Sequence, residues 1–104
     1  MINSITAKIS AGSSADIFDS KEVNVAIKST MIYNTSEDTE TVVTIAFMQP
    51  ERTQFLKLSV KPEETIFIDS DIYVPVDNYL EVASDTTDIN VIFSFIEDAR
   101  TNTI

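Results

Sequence analysis

The sequence predicts an all-β protein: an antiparallel β-sandwich, jelly-roll or immunoglobulin-like in outline, of about eight strands. Three observations carry that prediction. Ile and Val together number 23, against 3 Leu; β-branched side chains suit the half-buried surface of a pleated sheet, whereas helical domains lean on Leu and Ala. Apolar and polar residues alternate with period two along most of the chain, and no window holds an i, i+3, i+4 stripe. Short clusters of Asn, Asp, Ser and Pro break the alternation at close intervals, as turns between antiparallel strands do.

The elements follow in chain order. Residues 4–10 form a strand with Ile5, Ala7 and Ile9 on one face. "SAGSSAD" is a loop holding the only Gly, and a short strand at 16–18 offers Ile17 and Phe18. "DSKE" turns into a long run in which Val23, Val25, Ile27, Met31 and Tyr33 share one face, with Ser29 the sole interruption. Extended at about 3.3 Å per residue, that run would span roughly 36 Å. This is long for a small domain, so a bulge is expected near Lys28–Thr30. A polar corner at 34–39 leads to Val43, Ile45 and Phe47, and the two strands could pair as a hairpin.

"QPERT" ends that strand, and Leu56, Leu58 and Val60 carry the next. Lys61-Pro62-Glu63-Glu64 fits a type I turn with Pro at its second position. Ile66 and Ile68 return, Ile72 and Val74 follow "DSD", and Pro75 suits a strand end. Leu80 and Val82 form a strand, "SDTTD" turns it, and Ile89, Val91, Phe93 and Phe95 line the last. Residues 1–97 thus make one domain, with 98–104 a polar C-terminal tail. The expected core is Val23, Val25, Ile27, Val43, Ile45, Phe47, Leu56, Leu58, Ile66, Ile68, Leu80, Val82, Val91, Phe93 and Phe95.

Composition narrows function by exclusion. With no Cys there is neither a disulfide framework nor a thiolate metal site. With no His the usual general base, the Ser-His pair and the commonest transition-metal ligand are gone. The net charge of −10, with seven scattered basic residues, makes nucleic acid and anionic membranes poor partners. No apolar run approaches the roughly 18 residues of a membrane span. "MINSITAKIS" has no basic region followed by an apolar segment, so synthesis in a cytoplasm without a signal peptide is expected. Asn34-Thr35-Ser36 then reads as a strand corner, since a glycan acceptor matters only in a secreted protein.

The acidic pairs Asp16/Asp19, Asp69/Asp71 and Asp85/Asp88 lie at turns. Calcium needs six to eight oxygens, and the full EF-hand spacing is missing, so turn capping is the plainer role. A glycosidase pair would need an aromatic cleft, and nine aromatics with no Trp leave little room for one. Lys28-Ser29 is no Ser-Lys dyad, because adjacent strand residues point to opposite faces. No catalytic residue, cofactor site or metal site is assigned. The informative residues are apolar ones on the second face of strands: Phe55, Phe67, Tyr73, Tyr79, Ile92 and Ile96. A contiguous apolar patch there would be a candidate interface.

Residues 15 to 97 contain a strand ending at Asn34-Thr35-Ser36, a turn at Lys61-Pro62-Glu63-Glu64-Thr65, and a closing Leu80–Asp85 followed by an alternating strand. This order resembles small accessory proteins of bacteriophage virions. The chain departs from them where "DSKE" and "PEET" stand in place of Gly-containing turns. The resemblance implies a non-enzymatic virion structural role: capsid decoration, head-fibre attachment, or a neck, tail or baseplate component. It implies other virion subunits as partners, a homo-oligomer or multi-copy arrangement, and assembly in the host cytoplasm. The alternative on the same fold is a calcium-dependent or carbohydrate-binding module using Asp69, Asp71 and Tyr73.

Overall fold

The computed structural model describes residues 2–98. Nine strands form: β1 (Asn3–Ile9), β2 (Ser13–Ile17), β3 (Asn24–Asn34), β4 (Thr41–Phe47), β5 (Thr53–Val60), β6 (Thr65–Ile68), β7 (Ile72–Val74), β8 (Leu80–Ser84) and β9 (Ile89–Asp98). No helix occurs among the described residues. The tail expected at 98–104 lies outside them, except that Asp98 ends β9.

Pairing is concentric. β4 pairs with β5, β3 with β6 and β7, β2 with β8, and β1 with β9, all antiparallel. The chain is therefore one long antiparallel ribbon doubled back at 48–52 and rolled up. The roll closes where β3 pairs with β9 and β4 with β8. Two sheets result: sheet A in the order β1-β9-β3-β6 with β7 also on β3, and sheet B in the order β2-β8-β4-β5. This is the jelly roll, the first of the two outlines expected.

The fold corrects several expectations. β3 and β4 do not form a hairpin. Both edges of β3 are taken, by β9 on one side and by β6 and β7 on the other, so β4 has no edge to join and crosses into sheet B. The expected bulge is present between Ile27 and Ser29, and it reverses the strand's faces. Val25 and Ile27 point inward before it; Thr30, Ile32 and Asn34 do so after it, and Met31 and Tyr33 turn outward. The short strand expected at 16–18 runs from Ser13 to Ile17 and takes in most of the expected loop. Phe18, just beyond it, has φ of +67°. That left-handed step lets two adjacent residues, Ile17 and Phe18, both enter the core. Phe18 is held there edge-on to Phe93 and Phe95, with ring centres 5.8 and 4.9 Å away.

The turn at 61–64 closes with Glu64 N–H donating to Lys61 O, but Glu63 has φ of +58°. A positive φ at the third position makes it type II rather than type I, a place usually held by Gly. Gly12, at φ +72°, does occupy such a place, in the turn where Ser13 N–H meets Ser10 O.

Of the expected core, Val25, Ile27, Val43, Ile45, Leu80, Val82, Val91, Phe93 and Phe95 are buried. Phe47, Leu56, Leu58, Ile66 and Ile68 only pack against its rim, and Val23 is half-buried before β3 begins. Ile9, Ile17, Phe18, Ile32, Val60, Val74 and Ile89 complete the core.

Candidate interaction surface

The outer face of sheet A carries two apolar rungs. Cross-strand register sets Ile92, Met31 and Phe67 in one row over β9, β3 and β6. It sets Ile96, Ala26 and Tyr73 in another over β9, β3 and β7. Phe67 is 59% exposed, Tyr73 54% and Met31 38%. Ser94 and Ser29 lie between the rows, so the face is apolar in two bands rather than throughout. Four of the six residues singled out from the sequence thus share one surface: Phe67, Tyr73, Ile92 and Ile96. Met31 joins them because the bulge turns it outward.

The other two lie elsewhere. Phe55 is the extra residue of a bulge in β5, opposite Ile45 and Ala46 of sheet B, and it stacks on Phe47 with ring centres 4.7 Å apart. Tyr79 is half-buried just before β8, where its carbonyl accepts from Met48 N–H.

Of the acidic pairs, Asp85 and Asp88 serve the backbone at turns and Asp71 a neighbouring side chain. Asp85 Oδ1 accepts from Val42 N–H at 2.9 Å, from the Thr86 hydroxyl at 2.8 Å and from Thr41 Oγ1 at 3.1 Å. These bonds, the Val42 N–H foremost, hold its carboxyl below the ordinary value of 3.8. Asp88 Oδ1 accepts from Ala11 N–H at 2.8 Å, and Asp71 pairs with Lys28 at 2.9 Å. Among the described residues no three acidic side chains gather as metal ligands would.

The corner at Asn34 is a buried polar latch between the sheets. Its Nδ2 donates to Thr39 O and to Val60 O at the end of β5. Its Oδ1 accepts from Ser36 N–H and from the Thr87 hydroxyl. Thr41 Oγ1 accepts from the N–H groups of Thr86 and Thr87 and meets Ser84 Oγ at 2.8 Å. All four side-chain positions of Asn34 are filled, which suits a structural part.

A hollow of about 600 Å³ opens on the outer face of sheet B, where the rung Ser14, Ala83, Thr44 and Lys57 presents mostly small side chains. Its lining holds no aromatic ring on which a sugar could stack.

No protein-family model and no curated protein matches the chain. Solved structures share its fold. The Drosophila NLP-core, whose structure provides insight into pentamer formation and histone binding, has 11% identity and a TM-score of 0.67 over 94% of this chain and 99% of its own. The subunit of Bacillus endospore appendages, which form disulfide-linked pili, has 10% identity and a TM-score of 0.50 over 94% and 88%. The virus-like particle of the extra small virus of the prawn Macrobrachium rosenbergii gives 8% identity and a TM-score of 0.44 over 94% and 80%. At these identities the first two likenesses are ones of fold alone.

Proposed function

We propose that this protein is a non-enzymatic structural subunit of a bacteriophage particle, present in several copies and bound to other virion subunits through the outer face of sheet A and adjoining loops. The observation that carries the reading is the pair of apolar rungs, Ile92–Met31–Phe67 and Ile96–Ala26–Tyr73, on a chain of net charge −10. Covering a half-exposed Phe or Tyr returns on the order of 1–2 kcal/mol, so a partner on this face gains from each rung.

Two further facts support the reading. The jelly roll serves as a repeating subunit in the pentamer-forming Drosophila NLP-core and in the Bacillus pili. The pili are disulfide-linked, and this chain, with no Cys, would join its neighbours without disulfides. The chain also has no Cys and no His, and with them go the Cys–His and Ser–His pairs, while many of its polar side chains are spent on turns and the latch. Capsid decoration, head fibre, neck and tail are the places such a subunit fills; it would be made in the host cytoplasm and carried in the virion.

The test is mass spectrometry of purified particles grown with the wild-type chain and with Phe67→Asp and Ile92→Asp variants, each checked for folding by circular dichroism. The wild-type protein should co-purify with particles, and folded variants should remain in the soluble lysate. A wild-type chain absent from particles would refute the proposal.

A further inference from the structure

The core is open at both flanks of the sandwich. Sheet A ends in β1 on one side and in β6 and β7 on the other; sheet B ends in β2 and in β5. β1 touches β2, and a four-residue turn joins β5 to β6, so there is a β1–β2 flank and a β5–β6–β7 flank. On the inner strands β3, β4, β8 and β9 the inward apolar side chains, apart from Phe47 at the end of β4, are buried to 3% exposure or less. On the flank strands Ile9, Ile17, Val60 and Val74 are buried too, but Ala7 and Ala15 on one side and Leu56, Leu58, Ile66 and Ile68 on the other are only half-buried against that core.

The two edge strands of sheet B also differ in charge. Among the described residues Lys21, Lys28 and Arg52 have acidic partners within their own chain, while Lys57 of β5, Lys8 of β1 and Lys61 have none. Lys57 is the one charged residue of β5, and Asp16 is the one charged residue of β2. Both point outward, away from the core.

Strand direction makes the flanks complementary. Each neighbouring pair in sheet B is antiparallel, so β5 runs opposite to β2; by the same reasoning β6 and β7 run opposite to β1. Copies set side by side, by translation or by rotation about an axis along the strands, bring β5 of one against β2 of the next in antiparallel order. The regular part of β5 beyond its Phe55 bulge, 56–60, is as long as β2, 13–17. Placing Lys57 opposite Asp16 of the next copy sets Leu56 opposite Ile17 and Leu58 opposite Ala15, with inward and outward faces matched throughout.

We propose that copies of this chain join head to tail through their flanks, β5 of one pairing with β2 of the next and the β6–β7 edge pairing with its β1, with Lys57 and Asp16 as ion partners. The contact deepens the multi-copy reading above and rests on it. It unites two different surfaces, so it builds rings or filaments rather than closed two-fold dimers. It covers the half-buried flank residues and satisfies edge backbone groups that otherwise face water.

The experiment is light scattering over a concentration series on wild type, Lys57→Glu, Asp16→Lys, and an equimolar mixture of the two variants. Like charges then face each other in each variant alone, and the concentration needed for association should rise on the order of tenfold or more. In the mixture alternating copies face each other with opposite charges, at every contact of a filament or an even-numbered ring and at all but one of an odd ring, so association should return toward the wild-type range. Rescue by mixing is something a merely unfolded variant cannot give. Wild-type association that neither variant weakens would overturn the flank contact, as would a mixture that stays dissociated or a wild type that never associates. Particle incorporation is read separately: a chain found in virions whose association ignores Lys57 and Asp16 keeps the virion reading and loses this one.

Discussion

Thr30 offers the sharpest test of the core. It follows the bulge in β3, lies between Ile68 of β6 and Phe93 of β9, and is fully buried. Its Oγ1 has no hydrogen-bond partner among the described residues. The bulge is the cause, since without it Thr30 would face outward with Met31 inward. A buried polar group left without a partner costs about 1–3 kcal/mol. Thr30→Val keeps the β-branched shape and replaces only the hydroxyl, so stability should rise by about 1–2 kcal/mol. For a domain of this size that corresponds to a rise in Tm of roughly 4–8 °C per kcal/mol. Urea denaturation at a concentration where the chain is dissociated should show a higher midpoint with an unchanged slope. Thr30→Ser, which keeps the hydroxyl and opens a methyl-sized gap, should lose about 1 kcal/mol. A Val variant no more stable than wild type would refute the reasoning, because it would mean that the hydroxyl is satisfied or that the bulge places it elsewhere.

Three other outcomes are expected. Glu63→Gly should stabilise by about 0.5–1 kcal/mol in urea denaturation, since Gly adopts the left-handed φ of a type II turn without the Cβ penalty. Asn34→Ala should cost on the order of 2–4 kcal/mol in the same assay, because it strands the Thr39 and Val60 carbonyls and the Thr87 hydroxyl in a buried corner. Asp85 has a lower pKa folded than unfolded, so the unfolded chain takes up its proton first as pH falls. Its contribution is complete above the ordinary value of 3.8 and is lost as pH falls through the folded value; Asp85→Asn should flatten that part of the acid limb in a Tm-against-pH series.

Much of the fold was legible because strand faces are local. Ile5–Ile9, Val43–Ile45, Leu80–Val82 and Val91–Phe95 alternate inward as read from the sequence. Which strand pairs with which was not, because the rolled ribbon sets partners by distance from its bend rather than by adjacency. β3 therefore looked like the hairpin mate of β4, although its edges belong to β6, β7 and β9. The bulge at Lys28 follows from strand length, but alternation carried unbroken through it sets Met31 and Tyr33 on the face of Val25 and Ile27 and leaves Ile32 out of the core. A polar Lys28-Ser29-Thr30 followed by Ile32 was the available signal of the change in phase.

The candidate surface shows the same limit. Phe67, Tyr73, Ile92 and Ile96 were found as apolar residues on second faces, but only cross-strand register groups them and separates Phe55 and Tyr79. The flanks were not legible at all, because a residue half-buried at an edge and one buried in the centre carry the same letter. Leu56 and Leu58 read as core from their alternation, and only the strand order places them at a boundary.

The central claim is that this chain is one repeating part of an assembly. Light scattering of the purified wild-type protein, followed up to high concentration, tests it most directly. The account predicts a mass that climbs above the 11.6 kDa of one chain and settles at a ring or grows as a filament. A mass that stays at 11.6 kDa at every concentration would contradict it.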